Sequence, residues 1–179
     1  MKYCSQCGMT LILTIPEGDN RERHVCSGCQ TIHYQNPKIV TGTLPVIGDK
    51  ILLCRRAIEP RYGLWTLPAG FMENGESVLD AARRETWEEA CTHTCREQLY
   101  MMISQPCINQ VCMFYRAEID TRYTEEPHFA AGQESLEVRL FDEQDIPWDK
   151  LAFPTITRTL ELFFRDRING KFPLREESL

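Results

Sequence analysis

Three glutamates stand close together near the middle of the chain, at positions 85, 88 and 89. On a helix, Glu85, Glu88 and Glu89 occupy positions i, i+3 and i+4, so their carboxylates share one face. Like charges at this spacing destabilise a helix, and a divalent cation that prefers oxygen ligands, such as Mg²⁺ or Mn²⁺, relieves the repulsion. The spacing therefore predicts a metal site, with a solvated acidic helix face as the alternative.

A loop with two glycines precedes the glutamates. Gly70 and Gly75 lie where a metal or substrate can approach the backbone closely, because glycine has no side chain and tolerates positive φ. Arg84 is placed beside the glutamates, where it can orient them through ion pairs. A lone Glu-x-x-Glu-Glu would leave the solvated face open as an explanation. The longer spacing Gly70-x5-Glu76-x7-Arg84-Glu favours the metal site.

A second set of chemically active residues lies at the N-terminus, where four of the nine cysteines form two Cys-x-x-Cys pairs separated by residues 8–25. This spacing predicts one tetrahedral Zn²⁺ held by Cys4, Cys7, Cys26 and Cys29. The alternative is four unconnected thiols. A site closed by four sulfurs has no open position for water, so we expect it to stabilise folding only. His24 and His33 flank the cluster and are expected at the surface.

The elements that position these residues change in character after residue 36. Residues 1–36 are rich in cysteine and turn-forming residues and predict a zinc ribbon, and residues 37–179 predict a mixed α/β domain. A helix is expected from Ser77 to about Thr92, with Ser77 and Asp80 as a capping box, and residues 122–132 are expected to form a loop. The other predicted elements are strands at Ile39–Ile47, Ile51–Cys54, Met101–Ile103, Val111–Ala117 and Leu136–Phe141, and a helix at Phe153–Ile168.

Charge and hydropathy limit the possible partners. The net charge of −6 argues against broad nucleic-acid binding, which needs many Lys and Arg residues to neutralise phosphates. No apolar run approaches the roughly 18 residues that span a bilayer, and the N-terminus lacks the apolar segment of a secretory signal. We expect a cytoplasmic protein with no membrane contact.

The segment from Gly70 to Thr92 resembles the Nudix box, Gly-x5-Glu-x7-Arg-Glu-U-x-Glu-Glu-x-Gly-U with U apolar. Cys91 stands where the box has glycine, Thr92 where it has a bulky apolar residue, and Thr86 is a mild variant at the first U. These departures affect the end of the helix and leave the carboxylates in place. The resemblance implies the Nudix fold, an α/β/α sandwich around a mixed sheet, here preceded by the zinc ribbon.

The same resemblance implies roles for individual residues. Catalytic Mg²⁺ or Mn²⁺ would be held by the side chains of Glu85, Glu88, Glu89 and Glu134 and by the carbonyl of Ala69. Arg84 would belong to the catalytic set, and Glu88 and Glu134 are both candidates for the general base. The expected substrate-binding residues are Gly70, Glu76, Glu137, Phe71 and Trp65, with core packing as the alternative for the two aromatic side chains.

Further motifs resemble the zinc-ribbon Nudix group, which includes NADH pyrophosphatases and plant FAD pyrophosphatases. They are Tyr34–Pro37, Ser104–Pro106 and Glu134–Glu137. The NADH signature continues Ser-Gln-Pro with aromatic and proline residues, whereas this chain continues with Cys107-Ile-Asn-Gln110. The resemblance therefore implies that the diphosphate of FAD, giving FMN and AMP, or of ADP-ribose is hydrolysed, with NADH as the alternative.

A different class of function stays open at this point. The chain could be a non-catalytic module that binds a nucleotide or nucleic acid through the same fold. Retention of Arg84 and the three helix glutamates favours the enzyme, because a binding module does not need a full set of metal ligands. A homodimer is a further expectation, since the apolar stripe of Ile156, Leu160 and Phe164 could form an interface or belong to the core.

Overall fold

The computed structural model describes residues 1–122 and 127–179. The chain forms two compact units, Met1–Pro37 and Lys38–Leu179. Positions 123–126 of the predicted loop lie outside the described residues, and the rest of residues 122–132 contains no helix or strand. Within the described ranges, no helix is long and apolar enough to cross a membrane.

The N-terminal unit is a small antiparallel sheet. Its strands are β1 (Leu11–Thr14), β2 (Arg23–Cys26) and β3 (Ile32–His33), arranged in the order β1-β2-β3. The buried apolar cluster of this unit consists of Cys4, Leu11 and Cys26. A core of this size cannot stabilise a fold of fewer than 40 residues without help, so the unit depends on a cross-link or a bound metal.

The second unit contains one large sheet and two helices. Its strands are β4 (Lys38–Ile47), β5 (Lys50–Arg56), β6 (Trp65–Thr66), β7 (Ala69–Phe71), β8 (Thr94–Gln105), β9 (Gln110–Ile119), β10 (Ser135–Phe141) and β11 (Arg175–Ser178). The helices are α1 (Val78–Ala90) and α2 (Pro154–Arg167), with short 3₁₀ turns at Pro106–Ile108, Glu143–Asp145 and Trp148–Lys150. All seven elements that the sequence predicts after residue 37 are present.

The sheet is mixed. Its main path is β10-β5-β4-β9-β8-β11, with β6 paired to β5 and β7 paired to β4. The pairs β4·β9 and β8·β11 are parallel, and the remaining pairs are antiparallel. This is the mixed sheet that the resemblance implied, in an α+β fold.

The two helices cover opposite faces of this sheet. Successive residues of a strand point to opposite faces. On β5, Leu52 and Cys54 share a buried cluster with Ala90 of α1, whereas Ile51 and Leu53 share the main core with α2. The arrangement is the expected α/β/α sandwich. The stripe of Ile156, Leu160 and Phe164 is buried in that core, so it is not available as a dimer interface.

Both ends of α1 have defined caps. Ser77 accepts a hydrogen bond from the backbone N–H of Asp80 at 3.2 Å, which confirms the predicted N-terminal cap. At the other end, Cys91 adopts the left-handed conformation, with φ 48° and ψ 36°, and its N–H donates to the carbonyl of Trp87 at 2.8 Å. A cysteine thus takes the helix-ending conformation for which the box has glycine.

Candidate active site and zinc site

Helix α1 is held against the sheet by a buried hydroxyl pair. Thr86 is fully buried, and its Oγ1 lies 2.7 Å from Oγ1 of Thr43 on β4 and donates to the carbonyl of Ala82 at 2.7 Å. This contact fixes the rotation of the helix about its axis. Glu89 is therefore turned inward and is only 5% exposed, whereas Glu88 stays at the surface.

Arg84 holds three carboxylates in place. Its Nη1 donates to Glu85 at 2.7 Å and to Glu88 at 3.0 Å, and its Nε and Nη2 donate to Glu76 at 3.1 and 2.8 Å. Nη2 also donates to the carbonyl of Phe71 at 3.1 Å. Hydrogen bonds from Arg84, with a second from the N–H of Glu73, lower the pKa of Glu76 to about 2. The predicted orienting role of Arg84 matches this geometry.

Glu89 carries a carboxyl group in an environment that disfavours its charge. Its Oε2 accepts a hydrogen bond from the N–H of Ala69 at 3.2 Å. Burial raises the pKa of Glu89 to about 8, and the charges of Glu85 and Glu134 act in the same direction. Burial also raises the pKa of Glu85, with Glu88 and Glu134 as further negative charges nearby. The site therefore concentrates negative charge that a bound cation would compensate.

The loop before α1 approaches these carboxylates closely. Strand β7 pairs with β4 and places Gly70 against Glu85. A Cβ atom at Gly70 would lie 2.3 Å from Oε2 of Glu85, so a side chain at this position would displace the carboxylate of Glu85. The close approach of a metal or substrate to the backbone at Gly70 stays a prediction.

Glu134 and Glu137 lie at the start of β10 but differ in their partners. Glu134 is exposed and immediately precedes the strand, and its carbonyl accepts a hydrogen bond from the N–H of Ala57 at 2.8 Å. Its charge acts on both Glu85 and Glu89. Glu137 forms an ion pair with Arg55, with 3.5 Å between Nε and Oε2. The charge of Glu134 thus acts on two of the predicted metal ligands, whereas the contact shown by Glu137 is with β5.

The two aromatic residues predicted to bind substrate, Trp65 and Phe71, lie in different environments. Trp65 is 8% exposed and packs edge-on against Phe141, with 4.8 Å between ring centroids. It belongs to the core, which is the alternative already given for it. Phe71 is 48% exposed, and the ammonium of Lys38 lies 5.0 Å from its ring centroid. Phe71 is thus exposed beside the residues that Arg84 organises.

Arg56 is a charged residue near the site that the sequence pattern does not single out. It lies at the end of β5, is 9% exposed, and donates from Nε to the carbonyl of Pro60 at 2.9 Å. Its positive charge opposes the rise in the pKa of Glu89. A pair of arginines at a strand end is too common a feature to have identified it.

The donor set around Glu89 fits a divalent cation such as Mg²⁺ or Mn²⁺. Carboxylate and carbonyl oxygens are the ligands that these ions prefer, and burial raises the pKa of Glu89 even though the N–H of Ala69 and the charge of Arg56 act against the rise. The carboxylates are now bonded to Arg84 and to the N–H of Ala69. Holding a cation would require the oxygens of Glu85 and Glu88 to turn away from Arg84.

The four predicted zinc ligands come together in the N-terminal unit. Their Sγ atoms all lie within 4.8 Å of one another, and no other group of three or more His, Cys, Asp or Glu side chains in residues 1–122 and 127–179 is gathered in this way. Two thiol pairs are closer still, with Cys7 to Cys26 at 3.4 Å and Cys4 to Cys29 at 3.7 Å. Four sulfurs at these separations fit one tetrahedral Zn²⁺.

His33 differs from its prediction. We expected it at the surface, but it is half-buried and its Nε2 lies 3.3 Å from Sγ of Cys4. Strand pairing explains the difference, because β3 pairs with β2 and carries His33 back to the knuckle. His24 is also half-buried, opposite His33 in the same strand pair.

Comparison with known protein families agrees with this architecture. The family "Nudix N-terminal", a zinc ribbon, matches residues 2–35, and the family "NUDIX domain" matches residues 37–163. The carboxylate helix, the mixed sheet and the four-cysteine cluster therefore define a class, and the chain belongs to the Nudix hydrolase family with an N-terminal zinc ribbon.

Individual relatives extend the likeness. A crystal structure of a NUDIX hydrolase from Nitrosomonas europaea is 47% identical, with a TM-score of 0.93, and covers 100% of this chain and 99% of the other. An ADP-ribose pyrophosphatase from Streptococcus suis has a TM-score of 0.60 at 20% identity over 80% of this chain and 100% of its own, which shows a shared fold. A protein named NAD-capped RNA hydrolase NudC, from Vibrio parahaemolyticus, is 33% identical over 52% of this chain, and the match spans 34% of that relative.

Proposed function

We propose that this chain hydrolyses the diphosphate bond of a nucleoside-diphosphate compound with the help of Mg²⁺ or Mn²⁺. The observation that carries the proposal is Glu89, a buried carboxyl group whose pKa is raised to about 8 beside two further carboxylates. A protein that bound a nucleotide without a metal would gain nothing from burying this charge. Membership of the Nudix hydrolase family supports the same conclusion.

Different residues would have different roles in such a reaction. Glu85, Glu88, Glu89 and Glu134, with the carbonyl of Ala69, would hold the cation. When bound, the cation neutralises the diphosphate oxygens and lowers the pKa of the attacking water. Arg84 keeps Glu85 and Glu88 in orientation through its hydrogen bonds.

Proton transfer needs a carboxylate that water can reach. Glu88 and Glu134 are both exposed, so each can accept the proton of the water that attacks phosphorus. The P–O bond of the bridging oxygen then breaks, and a nucleoside monophosphate leaves with one phosphate of the pair. Glu89 is too buried to exchange a proton readily with solvent and is better suited to holding the cation.

For the substrate, we propose FAD or ADP-ribose. The support is the residues after Ser104-Gln-Pro106, which lack the aromatic and proline residues of the NADH signature, and the Glu134–Glu137 motif at the start of β10. The likeness to a protein named NAD-capped RNA hydrolase NudC supports NADH or an NAD-capped RNA as the second candidate. The net charge of −6 opposes the RNA, because a polyanion needs positive charge along its path.

The test is a side-by-side measurement of kcat/KM on FAD, ADP-ribose, NADH and NAD-capped RNA with Mg²⁺ and with Mn²⁺. We expect release of AMP from FAD or ADP-ribose, with the other two substrates at least roughly tenfold slower, the discrimination that about 1.4 kcal/mol of transition-state binding provides. A preference for NADH or the capped RNA would overturn the substrate assignment. Absence of any nucleoside monophosphate would instead favour the non-catalytic binding module.

For the N-terminal unit, we propose that residues 1–36 form a zinc ribbon in which Zn²⁺ stabilises the fold without taking part in catalysis. The gathered sulfurs of the four cysteines and the family match support this role. The cytoplasmic location and the homodimer expected from the sequence stay predictions.

A further inference from the structure

The segment that leads into β10 is attached to the C-terminal end of α1. The N–H of Ala130 donates to the carbonyl of Ala90 at 2.9 Å, and the N–H of Gly132 donates to the carbonyl of Glu89 at 3.1 Å. The last four carbonyls of a helix have no partner within the helix. Residues 130–132 therefore supply two of the missing donors, in addition to the bond that Cys91 makes to Trp87.

Gly132 is the point of closest approach in this attachment. A Cβ atom at position 132 would lie 1.7 Å from the carbonyl oxygen of Glu88 and 2.8 Å from its carbonyl carbon. The φ angle of Gly132 is not left-handed, so glycine is required here for space rather than for backbone conformation. Any side chain would push the segment away from the helix or displace the last turn of α1.

The other end of the segment is fixed to the sheet. The N–H of Ser135 donates to the carbonyl of Gly132 at 3.2 Å, and the N–H of Ala57, at the end of β5, donates to the carbonyl of Glu134 at 2.8 Å. Strand β10 then pairs with β5 along its length. Glu134 is thus held between two attachments, one on the catalytic helix and one on the sheet.

We propose that Gly132 is a positioning residue for Glu134. Its missing side chain lets residues 130–134 dock on the C-terminal carbonyls of α1, and this docking sets Glu134 beside the carboxylates of Glu85 and Glu89. The inference rests on the proposed function, because it gives Gly132 a role in forming the site that holds the cation. The negative charge that Glu134 adds around Glu85 and Glu89 agrees with this placement.

A double-mutant cycle with Gly132→Ala and Glu134→Gln tests the proposal. We expect Gly132→Ala to lower kcat by roughly 10²-fold, the cost of misplacing a catalytic group by about 1 Å, with KM changed little. In the Glu134→Gln background, Gly132→Ala should cause almost no further loss, because the group it positions is already gone. If the loss of kcat in the double variant equals the product of the losses in the two single variants, Gly132 acts independently of Glu134 and the inference is overturned.

Two measurements keep the test independent of activity. Mn²⁺ affinity, measured by the EPR signal of the free ion, should be lower in Gly132→Ala than in the wild-type protein. The double variant should bind Mn²⁺ as tightly as Glu134→Gln alone. Hydrogen exchange at the Ala130 and Gly132 amides should speed up in Gly132→Ala. If the wild-type protein binds Mn²⁺ but cleaves no diphosphate, the proposed function fails. Mn²⁺ affinity and amide hydrogen exchange still test the role of Gly132 in that case.

Two further variants control for general destabilisation. Gly170 also lies in a loop, and a Cβ there would meet nothing within 4 Å. Because the φ of Gly170 is 62°, alanine there strains the backbone, so Gly170→Ala should lower the free energy of unfolding while leaving kcat and Mn²⁺ affinity unchanged. If Gly132→Ala does not fold, Ala130→Pro replaces one docking N–H by a ring carbon that meets the carbonyl of Ala90, and it should show the same coupling to Glu134→Gln. Independence of the two changes would again overturn the inference.

Discussion

At the scale of single residues, Glu89 lies in an environment that disfavours its own charge. It is 5% exposed, its side chain accepts one hydrogen bond from the backbone, and burial raises its pKa to about 8. A nearby glutamate shows the opposite case. Burial disfavours the charge of Glu97 as well, but hydrogen bonds from Arg83 at 2.8 and 2.9 Å, from its own backbone N–H and from Thr94 together outweigh burial and lower the pKa of Glu97. Among the residues that the structure describes, no arginine donates a hydrogen bond to Glu89, whose side chain accepts from the N–H of Ala69 instead.

This difference predicts how stability depends on pH in protein free of Mg²⁺ and Mn²⁺. Between the ordinary glutamate pKa of 4.5 and about 8, the folded state binds more protons at Glu89 than the unfolded state does. Stability attributable to Glu89 is therefore present at low pH and is lost as pH rises through this window, by on the order of a few kcal/mol. Glu89→Gln should remove this slope, increase the free energy of unfolding above pH 8, and abolish hydrolysis.

Urea unfolding at pH 5 and pH 9 measures this effect, and Glu97→Gln is the matched control. Because the folded pKa of Glu97 is lowered, its ionised form stabilises the fold, so Glu97→Gln should lower stability at pH 9 where Glu89→Gln raises it. A Glu89→Gln variant that is less stable than wild type at pH 9 would show that the carboxylate is compensated within the protein.

The spacing of residues predicted much of the site but not its charges. Arg84 and the helix glutamates follow from the i, i+3, i+4 spacing, since helix geometry places them on one face. The burial of Glu89 does not follow, because it depends on the Thr43–Thr86 contact between α1 and β4. The placement of Trp65 in the core depends likewise on Phe141, which is distant in sequence.

At the scale of elements, the C-terminal end of α1 carries backbone strain that the family pattern avoids. Cys91 has φ 48°, a conformation that costs a residue with a Cβ about 1–2 kcal/mol. We expect Cys91→Gly to stabilise the protein by about 1 kcal/mol once the greater freedom of glycine in the unfolded chain is subtracted. That gain corresponds to a rise in Tm of roughly 2–4 °C for a chain of this size.

Thermal unfolding of Cys91→Gly and Cys91→Ala separates the backbone effect from the loss of the thiol. Alanine keeps the Cβ and the strain, so only the glycine variant should be more stable than wild type. If both variants are destabilised equally, packing of the half-buried Cys91 side chain outweighs the strain.

The apolar pattern of the sequence predicts some strands of the sheet but not all of them. The apolar runs of β4, β5, β9 and β10 predicted those strands, and their bounds agree to within a few residues. Strand β11 has the polar sequence Arg175-Glu-Glu-Ser178 and was not predicted. Its parallel pairing with β8 is supported by bonds from Arg158 to Glu177 and from Arg175 to Asp166. Arg158 and Asp166 belong to α2, which is distant in sequence from β8. The strand can therefore be identified only from the folded structure.

At the scale of the whole molecule, the two units are stabilised by different means. The second unit has a large apolar core from β4, β5, β8, β9 and α2. In the first unit, the apolar cluster consists of Leu11 and two of the zinc-site cysteines. Burial of a few side chains contributes only a few kcal/mol, far less than the conformational entropy lost in ordering residues 1–37. We therefore expect most of the stability of this unit to come from the proposed Zn²⁺.

Removing zinc should consequently unfold one unit and spare the other. Cys26→Ser deletes a fully buried ligand, and we expect amides of β1 and β2 to exchange at rates typical of an unfolded chain. Amides of β4, β5 and α1 should keep their protection, and with Mg²⁺ or Mn²⁺ present hydrolysis should persist. Ser27→Ala, which changes an exposed neighbour within the same knuckle, should retain zinc and protection throughout. If amides of β4 and α1 lose their protection from exchange together with those of β1, the second unit depends on the zinc ribbon for its stability. The large apolar core would then be insufficient by itself to hold the carboxylates in place.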